Sequence, residues 1–220
     1  MDDGRTWRFD GGLVGWNYQP MARSEGRLVP RDLANPETRR IWLCELIGRL
    51  PALLCDFATL TEARAYARGD DGGACVIDWR TQDGPSTLLT FLQRGTCTGV
   101  EAKLELTCLD KDLEPLEITN GASFKINIRL TDSGTLDPMT DAPVYLRLLL
   151  NADIYAPWSL GEIQNNTLLA ALNGPRLAGC LERIERDLPA KLLEIDQDHH
   201  PRGSVGPRGF IAPAGVLKEA

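Results

Sequence analysis

The sequence predicts an α+β fold, with helices packed on one face of a mostly antiparallel sheet of about four to six strands. Apolar and polar residues alternate in the segments VEAKLELTC, LEPLEI and SFKINIRL, which is the period of a strand buried on one face. Segments with helical spacing of apolar residues precede and follow that region. We therefore expect one domain, residues 36–196, between an irregular N-terminal arm, residues 1–35, and a Gly/Pro-containing C-terminal tail, residues 197–220.

The first predicted elements are mainly helical. The N-terminal arm is rich in Gly and Arg but contains several aromatic residues, so we expect it to dock on the core. Asn35, followed by a proline and an acid, predicts the N-cap of a buried helix at RRIWLCELIGRL. Thr59 and Glu62 have the spacing of a capping box, which predicts a second helix over residues 60–68. ACVIDW then predicts a short strand, and PSTLLTFLQRG a further helix.

The central region predicts four strands, at VEAKLELTC, LEPLEI, SFKINIRL and VYLRLLLNADIY. A turn is expected between the second and third of these, at Asn120 and Gly121. A three-residue loop of residues 120–122 would set Ile118 opposite Phe124, whereas a two-residue loop would mix the two faces. We therefore expect a hairpin with a three-residue loop, and we expect the last, most apolar strand to be central.

The last elements are two helices and a strand. NTLLAALNG predicts a short helix, Asn173 caps a longer one that ends near Leu188, and KLLEID predicts the final strand. Both histidines, His199 and His200, follow that strand in EIDQDHHPRG. Adjacent histidines point in different directions, and the tail after them is rich in Gly and Pro. The sequence therefore predicts neither a metal site nor histidine catalysis there.

The net charge of the chain is −7, and the acidic excess lies in the predicted domain, between the two arms. An acidic surface repels phosphate backbones and anionic lipids and attracts basic partners, so nucleic-acid binding is disfavoured. The charge can equally serve solubility alone. The N-terminus lacks the pattern of a secretory signal, and no apolar stretch reaches the length of a membrane span. We expect a cytoplasmic protein that does not bind membranes.

The six cysteines never form a CxxC pair, and most of them lie among apolar residues. A chain of 220 residues can bury a sufficient core without disulfides, so we predict that the cysteines are reduced core residues. They are Cys44, Cys55, Cys75, Cys97, Cys108 and Cys180.

Motifs of the common enzyme classes are absent, since the sequence contains no GxSxG, HExxH or P-loop, and no GxGxxG that opens a helix. Two acidic segments, LDKDLEPLE and TDSGTLDPMTD, are more typical of solvated loops than of carboxylate pairs or calcium sites. The sequence therefore predicts no catalytic residue, metal or cofactor, and it favours a non-enzymatic role.

One segment combines aromatic and acidic residues on the connection that leaves the sheet, NADIYAPWSLGEIQNN. Aromatic rings and acids together are typical of a protein-binding hot spot with a cationic partner. We predict partner binding by Asp153, Tyr155, Trp158 and Glu162. In the alternative interpretation, Tyr155 and Trp158 fill the edge of the sheet and serve the fold alone.

Two functions remain after these exclusions. The first is a small acidic protein that acts by protein–protein binding, for example an inhibitor, antitoxin or immunity-type protein that masks a basic partner. The second is an enzyme or small-molecule-binding domain with a carboxylate- or cysteine-centred site, whose residues are scattered along the chain.

Overall fold

A computed structural model of the chain describes residues 12–21, 33–67, 75–93, 97–157, 166–188, 190–197 and 204–211. Within these ranges it contains three helices and nine strands. In chain order they are β1 (Val14–Pro20), α1 (Pro36–Leu54), β2 (Ala58–Ala67), β3 (Cys75–Asp78), α2 (Gly84–Leu92), β4 (Cys97–Leu109), β5 (Pro115–Ile128), β6 (Val144–Leu150), α3 (Thr167–Asp187), β7 (Ala190–Asp196), β8 (Val205–Gly206) and β9 (Gly209–Phe210).

Seven of these strands form one sheet in the order β3-β2-β4-β5-β6-β1-β7. Every neighbouring pair in this sheet is antiparallel. The remaining two strands, β8 and β9, form a small hairpin of their own. The α+β class and the antiparallel sheet are confirmed, and the described sheet is larger than the four to six strands expected.

Strand β1 corrects the prediction of an irregular N-terminal arm. It lies inside the sheet, between β6 and β7. Val14, Trp16 and Tyr18 are buried on one face, and Asn17 between them is half-buried on the other. The alternation was present in the sequence, but both strands that pair with β1 lie more than 120 positions further along the chain. No local signal reveals partners at that distance.

Strand β2 corrects the prediction of a helix over residues 60–68. The segment pairs with β3 on one side and with β4 on the other. A bulge between Leu60 and Glu62 shifts the register, so the buried residues do not alternate evenly. Thr61, the extra residue, is buried, and its hydroxyl donates a hydrogen bond to the Lys103 carbonyl at 3.1 Å. Because the bulge interrupts the period-two pattern, the spacing of apolar residues in the sequence does not predict this strand.

Strand β5 replaces the hairpin predicted at residues 120–122. The segment is one continuous strand that bends at a bulge, where Leu104 pairs with Ala122 and Leu106 with Ile118. Asn120 has a φ of 53°, in the left-handed region. A Cβ on Gly121 would lie 2.4 Å from Leu106 Cδ1, so glycine is required by close packing. The bulge keeps the predicted parity, because Ile118 and Phe124 are both buried.

The predicted helices at α1 and α2 are confirmed, and Asn35 caps α1 by accepting hydrogen bonds from two backbone N–H groups. The two helices predicted after β6 form one helix, α3, with Pro175 inside it. Asn173 does not act as a cap. Its side chain is buried and bonds both backbone groups of Leu109, which ties α3 to the end of β4.

The core contains residues of all three helices and of the sheet. Helix α1 contacts β2 and both other helices, while α3 contacts β4, β7 and β9. The largest fully buried side chains include Trp16, Tyr18, Phe57, Phe124 and Tyr155. No helix in the described ranges is both long enough and apolar enough to cross a bilayer.

Part of the predicted C-terminal tail is folded onto this core. Val205 is buried, and the Trp16 Nε1–H donates a buried hydrogen bond to the Gly206 carbonyl at 3.0 Å. Arg208 forms ion pairs with Glu185 at 2.9 Å and Glu182 at 3.4 Å on α3. The β8–β9 hairpin therefore corrects the expectation of an irregular arm for residues 204–211. His199 and His200 lie outside the described residues.

Candidate binding surfaces

Two of the four predicted partner-binding residues are buried in the core. Asp153 and Tyr155 are 0% and 1% exposed. The Tyr155 hydroxyl lies 3.3 Å from Cys108 Sγ, and its ring centroid is 5.7 Å from that of Phe57. The chain turns inward after β6, where the Asn151 N–H donates to the Gly121 carbonyl at 2.8 Å. This position corrects the expectation of an exposed hot spot and agrees with the alternative that Tyr155 serves the fold.

The other two predicted residues, Trp158 and Glu162, lie outside the described residues. A role for this segment in partner binding therefore stays a prediction. Any such contact would depend on Trp158 and Glu162, because buried side chains reach a partner only through the residues around them.

The prediction of core cysteines holds fully for three of the six thiols, and Cys44 and Cys75 are half-buried and pack against the core. Cys97, Cys108 and Cys180 are buried, and all six cysteines are unpaired. Burial raises the pKa of the Cys97 and Cys108 thiols to about 11 and that of Cys180 to about 12. Since the thiolate is the nucleophilic form, none of these three buried groups is activated at neutral pH.

Cys55 is the exception, because it is exposed at the C-terminus of α1, with a φ of 34°. Its Sγ donates a hydrogen bond to Asp56 Oδ1 at 2.7 Å, and this bond is the main cause that lowers the pKa of the Asp56 carboxyl. Arg183 on α3 also contacts Asp56 Oδ1, at 3.2 Å. These contacts connect the end of α1 to α3.

The two acidic segments fold as loops. In the first, Asp110 to Glu114 form the turn between β4 and β5, and Glu117 lies at the start of β5; we name residues 110–117 the β4–β5 tip. In the second, the Thr131 N–H donates to the Thr135 carbonyl at 2.8 Å, and Asp137 accepts from the Met139 N–H at 2.9 Å. No group of three or more His, Cys, Asp or Glu side chains in the described part of the chain is arranged to hold a metal.

The β4–β5 tip has a fixed backbone. Asp110 Oδ1 accepts hydrogen bonds from the N–H groups of Asp112 at 2.8 Å and Glu114 at 2.9 Å. The Leu113 N–H donates to the Asp110 carbonyl at 3.2 Å, and the Asp110 N–H donates to the Glu114 carbonyl at 3.0 Å. Four hydrogen bonds within five residues hold this turn in one conformation.

The tip presents an apolar side chain to solvent. Leu113 is 62% exposed and has a φ of 67°, a conformation that costs an ordinary residue roughly 1–2 kcal/mol. Asp112, Glu114 and Glu117 around it are exposed and form no ion pair with any described residue. Sequence reasoning treated this segment only as a polar loop, and no local pattern distinguishes an exposed leucine at a tip from a buried one.

A second surface lies beyond the other end of β5. A recess of about 470 Å³ is bounded by β1, β6, β7 and the connection from β5 to β6. Its lining includes Asn17, Arg129, Asp141, Tyr145 and Arg147. These side chains come from segments far apart in sequence, and they lie together because β1 pairs with both β6 and β7. Once β1 is assigned to the sheet, the period-two pattern places Asn17 beside Arg147.

Comparisons with known proteins give no relative for this chain: no protein-family model, no curated protein and no solved structure matches it.

Proposed function

We propose that this protein acts by binding another protein, and that the β4–β5 tip is its main contact region. The observation that carries this proposal is Leu113, an exposed leucine held in a left-handed conformation by a hydrogen-bonded turn. A rigid loop loses little conformational entropy on binding, which favours affinity. A strained and exposed apolar residue has no evident benefit for folding, because it buries little surface and adopts a costly conformation.

The charges around Leu113 favour a basic partner. The tip carries Asp112, Glu114 and Glu117 against the single base Lys111, and all four residues are exposed. Unpaired carboxylates around an apolar centre match a pocket with an apolar floor and a cationic rim, and they accelerate association with such a surface. The proposed class is an inhibitor, antitoxin or immunity-type protein that masks a basic partner.

Two further observations support a cytoplasmic location and the proposed arrangement of the helices on the sheet. All six cysteines are unpaired, which is typical of a reducing compartment, so we propose a cytoplasmic location. The contacts of α1 with α2, α3 and β2 support the inference that the helices cover one face of the sheet. Lys125 and Arg147 on the alternate face are half-buried. In this arrangement the tip extends from the end of the sheet just beyond Leu109, where Asn173 of α3 contacts β4.

A photocrosslinking residue placed at position 113 tests the proposal. Benzoylphenylalanine in place of Leu113 should capture one specific protein on irradiation in a lysate of the source cells, because the tip lies at the centre of the contact. The same residue in place of Leu89, which is 41% exposed on α2, provides the matched control. A third variant carries it in place of Trp158 and tests the segment predicted from the sequence.

Three outcomes are informative. Capture from position 113 and none from position 89 supports the proposal. Capture from position 158 alone moves the contact to the connection after β6 and refutes the role of the tip. Identical products from positions 89 and 113, or no product from position 113, contradict a specific interface at the tip.

A further inference from the structure

The recess beyond β5 has the dimensions of a small-molecule site. Its volume of about 470 Å³ lies within the range of roughly 300–1,000 Å³ that is typical of ligand pockets. One wall is the connection from β5 to β6, including Met139 and Asp141, and the opposite wall is β7, including Leu193 and Glu194. The recess and the β4–β5 tip lie at opposite ends of β5, so the two surfaces are independent.

Arg147 is held in a fixed position in this recess. Its guanidinium lies directly over Gly15, where a Cβ would come within 2.7 Å of Arg147 Nε. One terminal nitrogen donates to Asp196 Oδ2 at 2.5 Å. Arg147 Nε is buried and has no hydrogen-bond partner among the described residues. Because Nε is shielded from solvent over Gly15, Arg147 contributes to the recess the positive charge of its guanidinium and not this N–H group.

Tyr145 and Arg129 add two more donors. The Tyr145 hydroxyl accepts a hydrogen bond from Asn127 Nδ2 at 2.9 Å, which leaves its own proton available for donation. The Arg129 guanidinium carbon lies 5.5 Å from the centroid of the Tyr145 ring, which is the distance of a cation–π contact. The in-plane N–H groups of Arg129 make no ion pair with any described residue, so they can bind a carboxylate.

The rim of the recess carries the opposite charge. Asp141 and Glu194 are exposed, and neither forms an ion pair within the described ranges. Asp196 already offsets the charge of Arg147. A purely anionic ligand such as phosphate would meet these rim carboxylates, and a purely cationic ligand would leave the donors of the floor without acceptors.

We propose that the recess binds a small molecule that carries both a carboxylate and an amine, the chemical class of the free amino acids. The carboxylate lies over the strand residues that form the floor, where it accepts from the Tyr145 hydroxyl and from the exposed Arg129 beside the Tyr145 ring. The ammonium group points outward to Asp141 and Glu194. The half-buried Asn17 side chain provides one further polar contact at the floor.

The test is a titration of the full-length chain with four probes, followed by calorimetry and by amide chemical shifts. L-lysine and 6-aminohexanoate carry both charges, whereas hexanoate lacks the amine and hexylamine lacks the carboxylate. Saturable binding of L-lysine or 6-aminohexanoate is expected, with hexanoate and hexylamine weaker by at least about tenfold, because each loses one set of charge-assisted contacts. Shifts should concentrate at residues 129, 145 and 147.

Matched variants locate the binding. Arg129→Gln and Tyr145→Phe should each weaken 6-aminohexanoate, by about tenfold for the arginine and by less for the hydroxyl. Lys125→Gln is the control, because Lys125 pairs with Arg147 in the sheet but does not line the recess, and its effect should stay within twofold. The proposal is overturned if no probe saturates, if hexanoate binds as well as 6-aminohexanoate, or if Lys125→Gln weakens binding as much as Arg129→Gln.

Discussion

Strand β1 and the β4–β5 tip each carry a large apolar side chain, which is buried in β1 and exposed at the tip. Trp16, in a segment expected to be an irregular arm, is 0% exposed in the interior of the sheet. Leu113, which lies between two strands, is 62% exposed. Trp16 is placed by the pairing of β1 with two distant strands, whereas Leu113 is placed by hydrogen bonds within its own turn.

The difference separates residues that stabilise the fold from residues that are available for binding. Burial of a large aromatic side chain stabilises a protein by several kcal/mol, while an exposed leucine contributes little. The fold therefore depends on Trp16 and should tolerate changes at Leu113. Each prediction below tests this contrast, and the expected effects decrease in order.

The largest effect is expected for Trp16→Ala, which should lower the free energy of unfolding by about 4 kcal/mol. The substitution removes a fully buried indole and the hydrogen bond from Nε1 to the Gly206 carbonyl. Urea denaturation followed by circular dichroism measures the stability, and hydrogen exchange should show faster exchange in residues 205–210. Equal stability of this variant and the parent chain would contradict the position of β1 in the core.

The second prediction concerns the buried Cys108 thiol and the dependence of the stability on pH. Burial raises the pKa of the Cys108 thiol from near 9 to about 11, so the unfolded chain loses this proton at lower pH than the folded chain. The contribution of this thiol to the free energy of unfolding is fully present below pH 9 and is lost as the pH rises towards 11. At pH 10 the loss is about 1.4 kcal/mol. The stability of Cys108→Ala should therefore fall less steeply between pH 8 and pH 10. An identical slope in Cys108→Ala and the parent chain would contradict this prediction.

A smaller effect is expected at the tip itself. Asp110→Ala removes the two hydrogen bonds to the N–H groups of Asp112 and Glu114 and should cost about 1 kcal/mol. Hydrogen exchange at these two amides should accelerate, while exchange in β1 stays unchanged. Asp112→Ala is the matched control, since the Asp112 carboxylate accepts no hydrogen bond from the described residues of the turn. Unaltered protection of both amides in Asp110→Ala would show that the turn is held in some other way.

Where local pattern and burial agree, the sequence was sufficient to predict the fold. Strands β4 and β6 alternate cleanly, and Asn35 identifies the start of α1. The failures at β2 and β5 share one cause. Each strand contains a bulge, which interrupts the period-two pattern in β2 and preserves it in β5. For β5 the parity of Ile118 and Phe124 was predicted correctly, but a hairpin and a bulge both satisfy it.

The candidate surfaces were harder to predict than the fold. Partner binding by Tyr155 was predicted because aromatic and acidic residues occur together where the chain leaves the sheet, but its ring packs against Phe57 in the core. The recess depends on Gly15, whose lack of a side chain makes room for the Arg147 guanidinium across two paired strands. Pairing between strands that are far apart in sequence determines which side chains lie together. No local sequence pattern predicts that pairing.

The most direct test of the central claim is the affinity for the protein that crosslinks at position 113. Binding by the parent chain is compared with that of Leu113→Ala and of the matched surface variant Leu89→Ala, in parallel with urea denaturation of all three. The account predicts that Leu113→Ala weakens binding by at least about tenfold while its stability changes by less than about 0.5 kcal/mol, and that Leu89→Ala binds within twofold of the parent. Equal affinities for Leu113→Ala and the parent would contradict the assignment of the β4–β5 tip as the contact region.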